Sequence, residues 1–165
     1  MNRLTEAANT LAGELIGETV RTFGGVRLGV CGTSMAPTIR PGDLVLVERT
    51  GVPEISTGQI VVFARHGRLI VHRVVVKSSG RGEPILVTRG DRTWRDDRLV
   101  SSPELIGRVT HIERNDSTVS TPPRLNLTEQ VICRLLRFSD RATCFYLLLA
   151  WRWYELFPTR AVWRP

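Results

Sequence analysis

Cys31 to Val47 reads CGTSMAPTIRPGDLVLV, a glycine-flanked Ser-Met followed by two prolines and then an apolar run. Gly32, Pro37 and Pro41 disfavour a regular helix here, and Pro41-Gly42-Asp43 is a turn sequence that launches a strand at Leu44. Ser34 is therefore presented on a fixed loop. A hydroxyl held in that way is what nucleophilic catalysis needs, provided that a base from elsewhere in the chain comes within hydrogen-bond reach.

Around this loop, Gly25 to Glu113 reads as β-rich. The expected strands are Val26 to Val30, Leu44 to Arg49, Gln59 to Ala64, Arg68 to Val76, Ile85 to Thr88 and Leu105 to Ile112, separated by Gly, Pro, Ser or Asp clusters. His66-Gly67 reads as a hairpin tip, which leaves His66 exposed, while His111 reads as a structural residue of the last strand. Such spacing predicts a mainly β fold, a mostly antiparallel sheet or partly open barrel, with a helix at each end. The N-terminal helix has apolar residues Leu4, Ala7, Ala8, Leu11, Leu15, Ile16 and Val20 at helical spacing. The expected organisation is an amphipathic helix over 1–24, a β domain over 25–116, a Pro-interrupted linker over 117–128 and a helical segment over 129–165.

Three groups of residues carry a family resemblance. Ser34-Met35-Ala36-Pro37-Thr38 with Gly42-Asp43 resembles the nucleophile box of signal peptidase I and its relatives in the S24/S26 superfamily of serine peptidases. Gly58 to Phe63 with Val71-His72-Arg73-Val74 resembles the base-bearing hairpin. Gly90-Asp91, Asp96-Asp97-Arg98 and Ile106-Gly107-Arg108-Val109 resemble the final box. Three boxes in order between Arg27 and Arg114 are far more specific than one short motif.

The resemblance offers two kinds of base. In the bacterial branch, and in the related SOS-repressor peptidases, a lysine stands where His72 stands here. Lys77, the only lysine, lies five residues from His72, and along Arg68 to Lys77 the even positions Ile70, His72 and Val74 share one face while Lys77 points to the other. The pattern instead resembles the endoplasmic-reticulum and archaeal type, in which serine, histidine and aspartate act together. Imidazole ordinarily titrates near about 6.5, so at neutral pH it accepts a serine proton without special tuning. A carboxylate must then hold its tautomer, and Asp91, Asp96 and Asp97 are at hand. The resemblance implies Asp97 as the triad member and Asp91 as a supporting catalytic carboxylate. Asp96 reads as a turn acid beside Arg92, Arg95 and Arg98.

Two departures bear on the chemistry. Many relatives carry a hydroxyl residue two before the nucleophile as an oxyanion donor, and Gly32 stands there. That leaves backbone N–H groups, the one on Ser34 first, and the Thr33 hydroxyl; one donor is worth about a hundredfold or more in rate. The Asn-Asn that follows Gly-Asp in the eukaryotic-type box is replaced by Arg92-Thr93. Met35 and Pro37 read as packing and turn residues under the loop, and the resemblance implies that Gly32, Thr33, Met35 and Pro37 border a groove where an extended peptide adds as a strand.

The totals exclude several classes. The net charge of +7 comes almost wholly from arginine, scattered among acids with no basic run and no alternating aromatics, so nucleic-acid binding is not expected. Cys31, Cys133 and Cys144 lack metal-type spacing, so neither a metal site nor a disulfide framework is expected, and Cys31 reads as a small buried residue. No cofactor is implied. The first residues carry charges and no apolar core of a signal peptide, and no stretch approaches the roughly twenty apolar residues of a spanning helix.

From Glu129 to Phe157 a helical stripe runs through Ile132, Leu135, Leu136, Ala142, Tyr146, Leu149, Trp153 and Leu156. Arg124 to Pro165 has seven arginines against Glu129, Asp140 and Glu155, with Trp151, Trp153 and Trp163 among them. That composition suits a peripheral membrane contact, and suits equally a helix docked on the sheet or on a protein partner. The expected activity is a signal-peptidase-type serine endopeptidase acting on a leader, signal or propeptide after small residues, in the cytoplasm or at a membrane surface. The alternative is an inactive peptide-binding module of the same fold.

Overall fold

Ile60 to Phe63 is apolar at every position, which suits a strand covered on both faces. In the computed structural model it is the middle of the sheet. The structure describes residues 3–78, 84–115, 117–121, 125, 127–138 and 140–156. In chain order these form α1 (Arg3–Phe23), β1 (Gly25–Gly29), β2 (Leu44–Glu48), a 3-10 turn (Val52–Glu54), β3 (Ile60–Arg65), β4 (Arg68–Ser78), β5 (Ile85–Arg89), β6 (Leu105–Arg114), β7 (Ser117–Ser120), α2 (Leu127–Phe138) and α3 (Asp140–Leu156).

All pairings are antiparallel and the sheet is open, in the order β1-β2-β6-β3-β4-β5. β2 runs along one edge of β6, while β3 and then β7 share the other. Ile60 and Val62 enter a cluster with Met35, Ile39, Val45, Val47, Val109 and Ile112. Val61 and Phe63 enter a second cluster with Val52, Ile55, Val74, Leu86 and Val100 on the opposite face. This is the mainly β fold with terminal helices that the sequence predicts. Ser117–Ser120, expected to begin a linker, instead forms β7, because β6 extends far enough past β3 to offer it a free edge.

At both helical ends the structure buries only part of the apolar stripe. In α1, Gly13, Gly17 and Val20 are buried while Leu11 and Leu15 are exposed. A Cβ at Gly13 would make an ordinary contact, 3.7 Å from that of Ala64, so this side of the helix lies against β3 while Leu11 and Leu15 face away. The side chains of Leu4, Ala7 and Ala8 lie outside the described residues. The single C-terminal helix is two, α2 and α3; of its apolar stripe Leu136 is buried while Leu135 and Leu149 are exposed, and Cys133 and Thr143 are buried beside it. Trp163 and the side chains of Ala142, Trp151, Trp153 and Leu156 lie outside the described residues.

At Gly107, where β6 passes between β2 and β3, an added Cβ would sit 2.3 Å from the Glu48 carbonyl oxygen. That oxygen is backbone and cannot swing aside. Gly107→Ala is expected to cost about 2 kcal/mol or more and to lower the unfolding midpoint by about 4–8 °C, read by thermal denaturation.

Candidate active site

The loop after β1 has little strand pairing and must satisfy its backbone locally. Val30 N–H donates to Asp43 O and Gly42 N–H to Val30 O, which closes the loop at its neck. Ala36 N–H donates to Thr33 O and Ile39 N–H to Met35 O. Met35 through Ile39 are all buried, with a cis peptide at Ala36-Pro37, so the loop folds inward and leaves Ser34 at its accessible margin. Met35 and Pro37 are therefore packing residues beneath the loop. Gly32 is exposed, and a Cβ there would meet nothing within 4 Å.

Two buried carboxylates hold this loop. Asp43 accepts Arg40 N–H at 2.8 Å and both Nε and Nη2 of Arg114 from β6. Asp91 accepts Arg73 Nε at 2.8 Å and Nη2 at 2.9 Å, and Thr38 Oγ1 donates to it at 2.6 Å. Arg114 also donates to Thr38 O at 3.0 Å. Thr38 is thus gripped through its hydroxyl by one ion pair and through its carbonyl by the other.

Arg73 and its neighbour His72 lie on opposite faces of β4, as strand alternation requires. His72 Nε2 is 3.0 Å from Ser34 Oγ, and His72 Nδ1 is 2.6 Å from Asp97 Oδ2. The edge of Phe63 packs against the imidazole from within the core, with ring centroids 6.4 Å apart. Thr88 Oγ1 donates to the same Asp97 oxygen at 2.7 Å, and Asp97 N–H donates to Thr88 O. Beyond Asp97, Arg65 donates to Arg98 O and Leu99 O and pairs with Glu104, whose carboxyl that hydrogen bond lowers to about 2. The stretch that carries Asp97 is therefore fastened on both sides.

The structure brings Ser34, His72 and Asp97 into one line. Asp91 stands beside them, but it supports the loop through Arg73 and Thr38 rather than facing the imidazole. Asp96 is exposed and pairs with Arg89 at 3.2 Å. Lys77 is outside the site for a different reason from the one the sequence gives. A bulge between Val74 and Val76 restores Lys77, opposite Leu86, to the face of Val74 and His72, so the alternation does not separate them. Its ammonium instead donates to Pro53 O at 2.6 Å. Cys31 is exposed, not buried, because the neck of the loop turns it outward.

Several contributors are not evident from residue type alone. Thr38, Arg73, Thr88 and Arg114 are ordinary strand or loop residues until their partners are known. Arg92, one of the two departures from the family box, donates from Nη2 to Thr33 Oγ1 at 3.0 Å and from Nη1 to Thr143 Oγ1 of α3 at 3.1 Å. Its backbone N–H donates to Ser34 O at 2.9 Å. Arg40 Nη2 donates to Tyr146 Oη at 2.8 Å with its guanidinium over the ring. Arg40 and Arg92 thus seat α3 against the serine loop.

The family model described as Peptidase S24-like matches residues 15–109. The chain is 40% identical over 67 residues to the signal peptidase complex catalytic subunit sec11 of Neurospora crassa, covering 39% of each chain. It is 40% identical over 68 residues to the signal peptidase complex catalytic subunit SEC11C of Homo sapiens, covering 39% of this chain and 35% of that protein. The match thus spans well under half the length of these relatives.

Gly90 makes the tightest approach in the site. An added Cβ would stand 2.8 Å from Ser34 O, 3.1 Å from Ser34 Cβ and 3.0 Å from His72 Nε2. Gly90→Ala is expected to separate Ser34 from His72, and because displacement by about 1 Å suffices to cost a hundredfold, any hydrolysis measured with the variant should fall by at least about that factor. A crystal structure of the variant with the Ser34–His72 distance unchanged would contradict this.

Proposed function

The chain belongs to the Peptidase S24-like family, and on that premise we propose that it is a serine endopeptidase of signal-peptidase type, working through Ser34, His72 and Asp97 on the leader or signal segment of a precursor protein. The observation that carries this reading is the unbroken chain of contacts from Ser34 Oγ to His72 Nε2 at 3.0 Å and from His72 Nδ1 to Asp97 Oδ2 at 2.6 Å. An ionised Asp97 accepts only, so it favours the tautomer with the proton on Nδ1 and leaves Nε2 to accept from the serine. Ser34 Oγ attacks the scissile carbonyl as His72 takes its proton; His72 returns that proton to the leaving amine, and a water activated by the same imidazole hydrolyses the acyl-enzyme. The names of the relatives support a precursor substrate, and the family resemblance supports an extended segment with small residues at the cut.

The oxyanion falls to the Ser34 backbone N–H and the Thr33 hydroxyl. Arg92 occupies a lone pair of Thr33 Oγ1, which leaves the Thr33 O–H to donate and sets a positive charge behind it. Gly32 supplies no side-chain donor.

Cleavage of a peptide spanning a leader junction tests the reading. Ser34→Ala and His72→Ala are each expected to lower kcat at least about a thousandfold, and Asp97→Asn about ten-thousandfold by favouring the wrong tautomer. Asp91→Ala should instead act on folding, costing about 3–5 kcal/mol by leaving Arg73 buried without its carboxylate. Wild-type chain that binds the peptide without turnover would make it a binding module of the same fold, and cleavage that persists in Ser34→Ala would remove the triad.

A second measurement addresses the oxyanion. Because the space at Gly32 is open and its backbone is ordinary for an L-residue, Gly32→Ser can restore the hydroxyl that many relatives carry. It should raise kcat by about tenfold or more, with KM little changed. No gain in kcat would mean that Thr33 already supplies this donor in full, which the loss of rate in Thr33→Val then has to show.

A further inference from the structure

We propose that α3, together with α2, forms a docking surface for an anionic lipid bilayer. In an ordinary amphipathic helix the large apolar side chains face the protein. Here the order is reversed. Thr143 and Tyr146 of α3 turn inward to Arg92 and Arg40, while Phe145, Leu148 and Leu149 are 63%, 59% and 53% exposed. In α2, Cys133 and Leu136 are buried while Leu127, Val131 and Leu135, spaced by four, form an outward stripe 80%, 57% and 63% exposed. A single exposed leucine is unremarkable, but six large apolar groups on two consecutive helices are a binding feature.

Charge selects the occupant. Arg141 and Arg152 stand at either end of the apolar face of α3, Arg134 stands beside that of α2, and all three are exposed. Among the described side chains of the two helices, no carboxylate is exposed. A two-fold contact with a second copy would set these arginines against one another. A specific protein partner would need several hydrogen-bonding groups, and apart from the arginines the described outward polar side chains are Thr128 and Gln130, both at the start of α2 and away from the apolar face of α3. Acyl chains at the apolar side chains and anionic headgroups at the arginines satisfy the whole face. No described helix is long and apolar enough to cross a membrane, and the inner side of α3 is committed to the sheet domain, so the helix lies along the interface.

The seat of α3 gives docking a consequence. Thr33, next to Ser34, is joined to Thr143 by one guanidinium, so docking sets the serine loop about one helix diameter, roughly 10 Å, from the headgroups. On the peptidase reading, the enzyme would then cut precursors at the level of the membrane surface.

The test is co-sedimentation of the full chain with vesicles of phosphatidylcholine alone and with phosphatidylglycerol added, at low and high salt, using both the wild type and Ser34→Ala. Binding is expected to anionic vesicles, at least about tenfold stronger than to neutral ones, weakened by salt and identical for the two proteins. Phe145→Ser with Leu148→Ser, and separately Arg141→Gln with Arg152→Gln, should each weaken it about tenfold or more while leaving the unfolding midpoint unchanged, since all four side chains are exposed. Absence of binding to anionic vesicles, or binding indifferent to both pairs of substitutions, overturns the proposal. So does a concentration-dependent dimer that the apolar pair of substitutions abolishes. Because Ser34→Ala is included, loss of the peptidase reading alone leaves vesicle binding intact, and loss of docking alone leaves cleavage of a soluble peptide intact.

Discussion

The placement of Ser34 depends on what happens at Thr38. The loop from Cys31 to Asp43 has too little regular pairing to hold a hydroxyl to within a fraction of an ångström, and two buried ion pairs supply what the ladder does not. Arg73 and Asp91 tie the Thr38 hydroxyl to β4, and Arg114 and Asp43 tie its carbonyl to β6. Such pairs are not a reliable source of net stability, because desolvation offsets most of their attraction. Their geometry is what matters here. A bidentate arginine accepts few arrangements, so each pair selects one position of the loop relative to one strand.

β4 is the strand through which Ser34 and His72 share a frame. Arg73 reaches the loop from one face and His72 reaches Ser34 from the other, so a single backbone segment fixes both ends of the Ser34–His72 contact. Gly90 completes the arrangement by absence. Only a residue without Cβ lets the turn before Asp91 come close enough for Arg92 N–H to reach Ser34 O. The bulge beyond Val74 lies past these residues and leaves their alternation intact.

Much of this was legible in the sequence. The loop, the positions of the strands along the chain and the hairpin tip at His66 follow from turn residues and alternation, which are local properties, while Asp97 rather than Asp96 was what the family resemblance implied, and Asp97 is the one that lies 2.6 Å from His72. What was not legible depends on distance in the chain. Nothing near Lys77 reveals the bulge that cancels its parity, because the bulge is a property of the pairing with β5. Cys31 reads as a small buried residue by type, yet the hydrogen bonds between Val30 and Asp43 turn it out. At Leu11, Leu15, Leu135 and Leu149 the period marked a stripe and left open what it faces, and the structure leaves all four exposed. Periodicity defines a face but does not say what covers it, and in α1 it is the side of Gly13, Gly17 and Val20 that is buried.

The two departures from the family boxes meet in space. Gly32 lacks the hydroxyl that many relatives place two before the serine, and Arg92 replaces an amide with a guanidinium that reaches Thr33, the residue between Gly32 and Ser34. A guanidinium donates only, so its bond to Thr33 Oγ1 occupies an acceptor site and leaves that hydroxyl free to donate in turn. It also brings a permanent positive charge to the side of the loop where negative charge would develop. Loss of a donor at one position is thus accompanied by polarisation of a donor at the next, and the same guanidinium carries the contact to Thr143 that seats α3. On the proposed mechanism, the residue that reshapes the oxyanion site is therefore also one that fixes the C-terminal helices, so the chemistry and the docking surface depend on a common side chain.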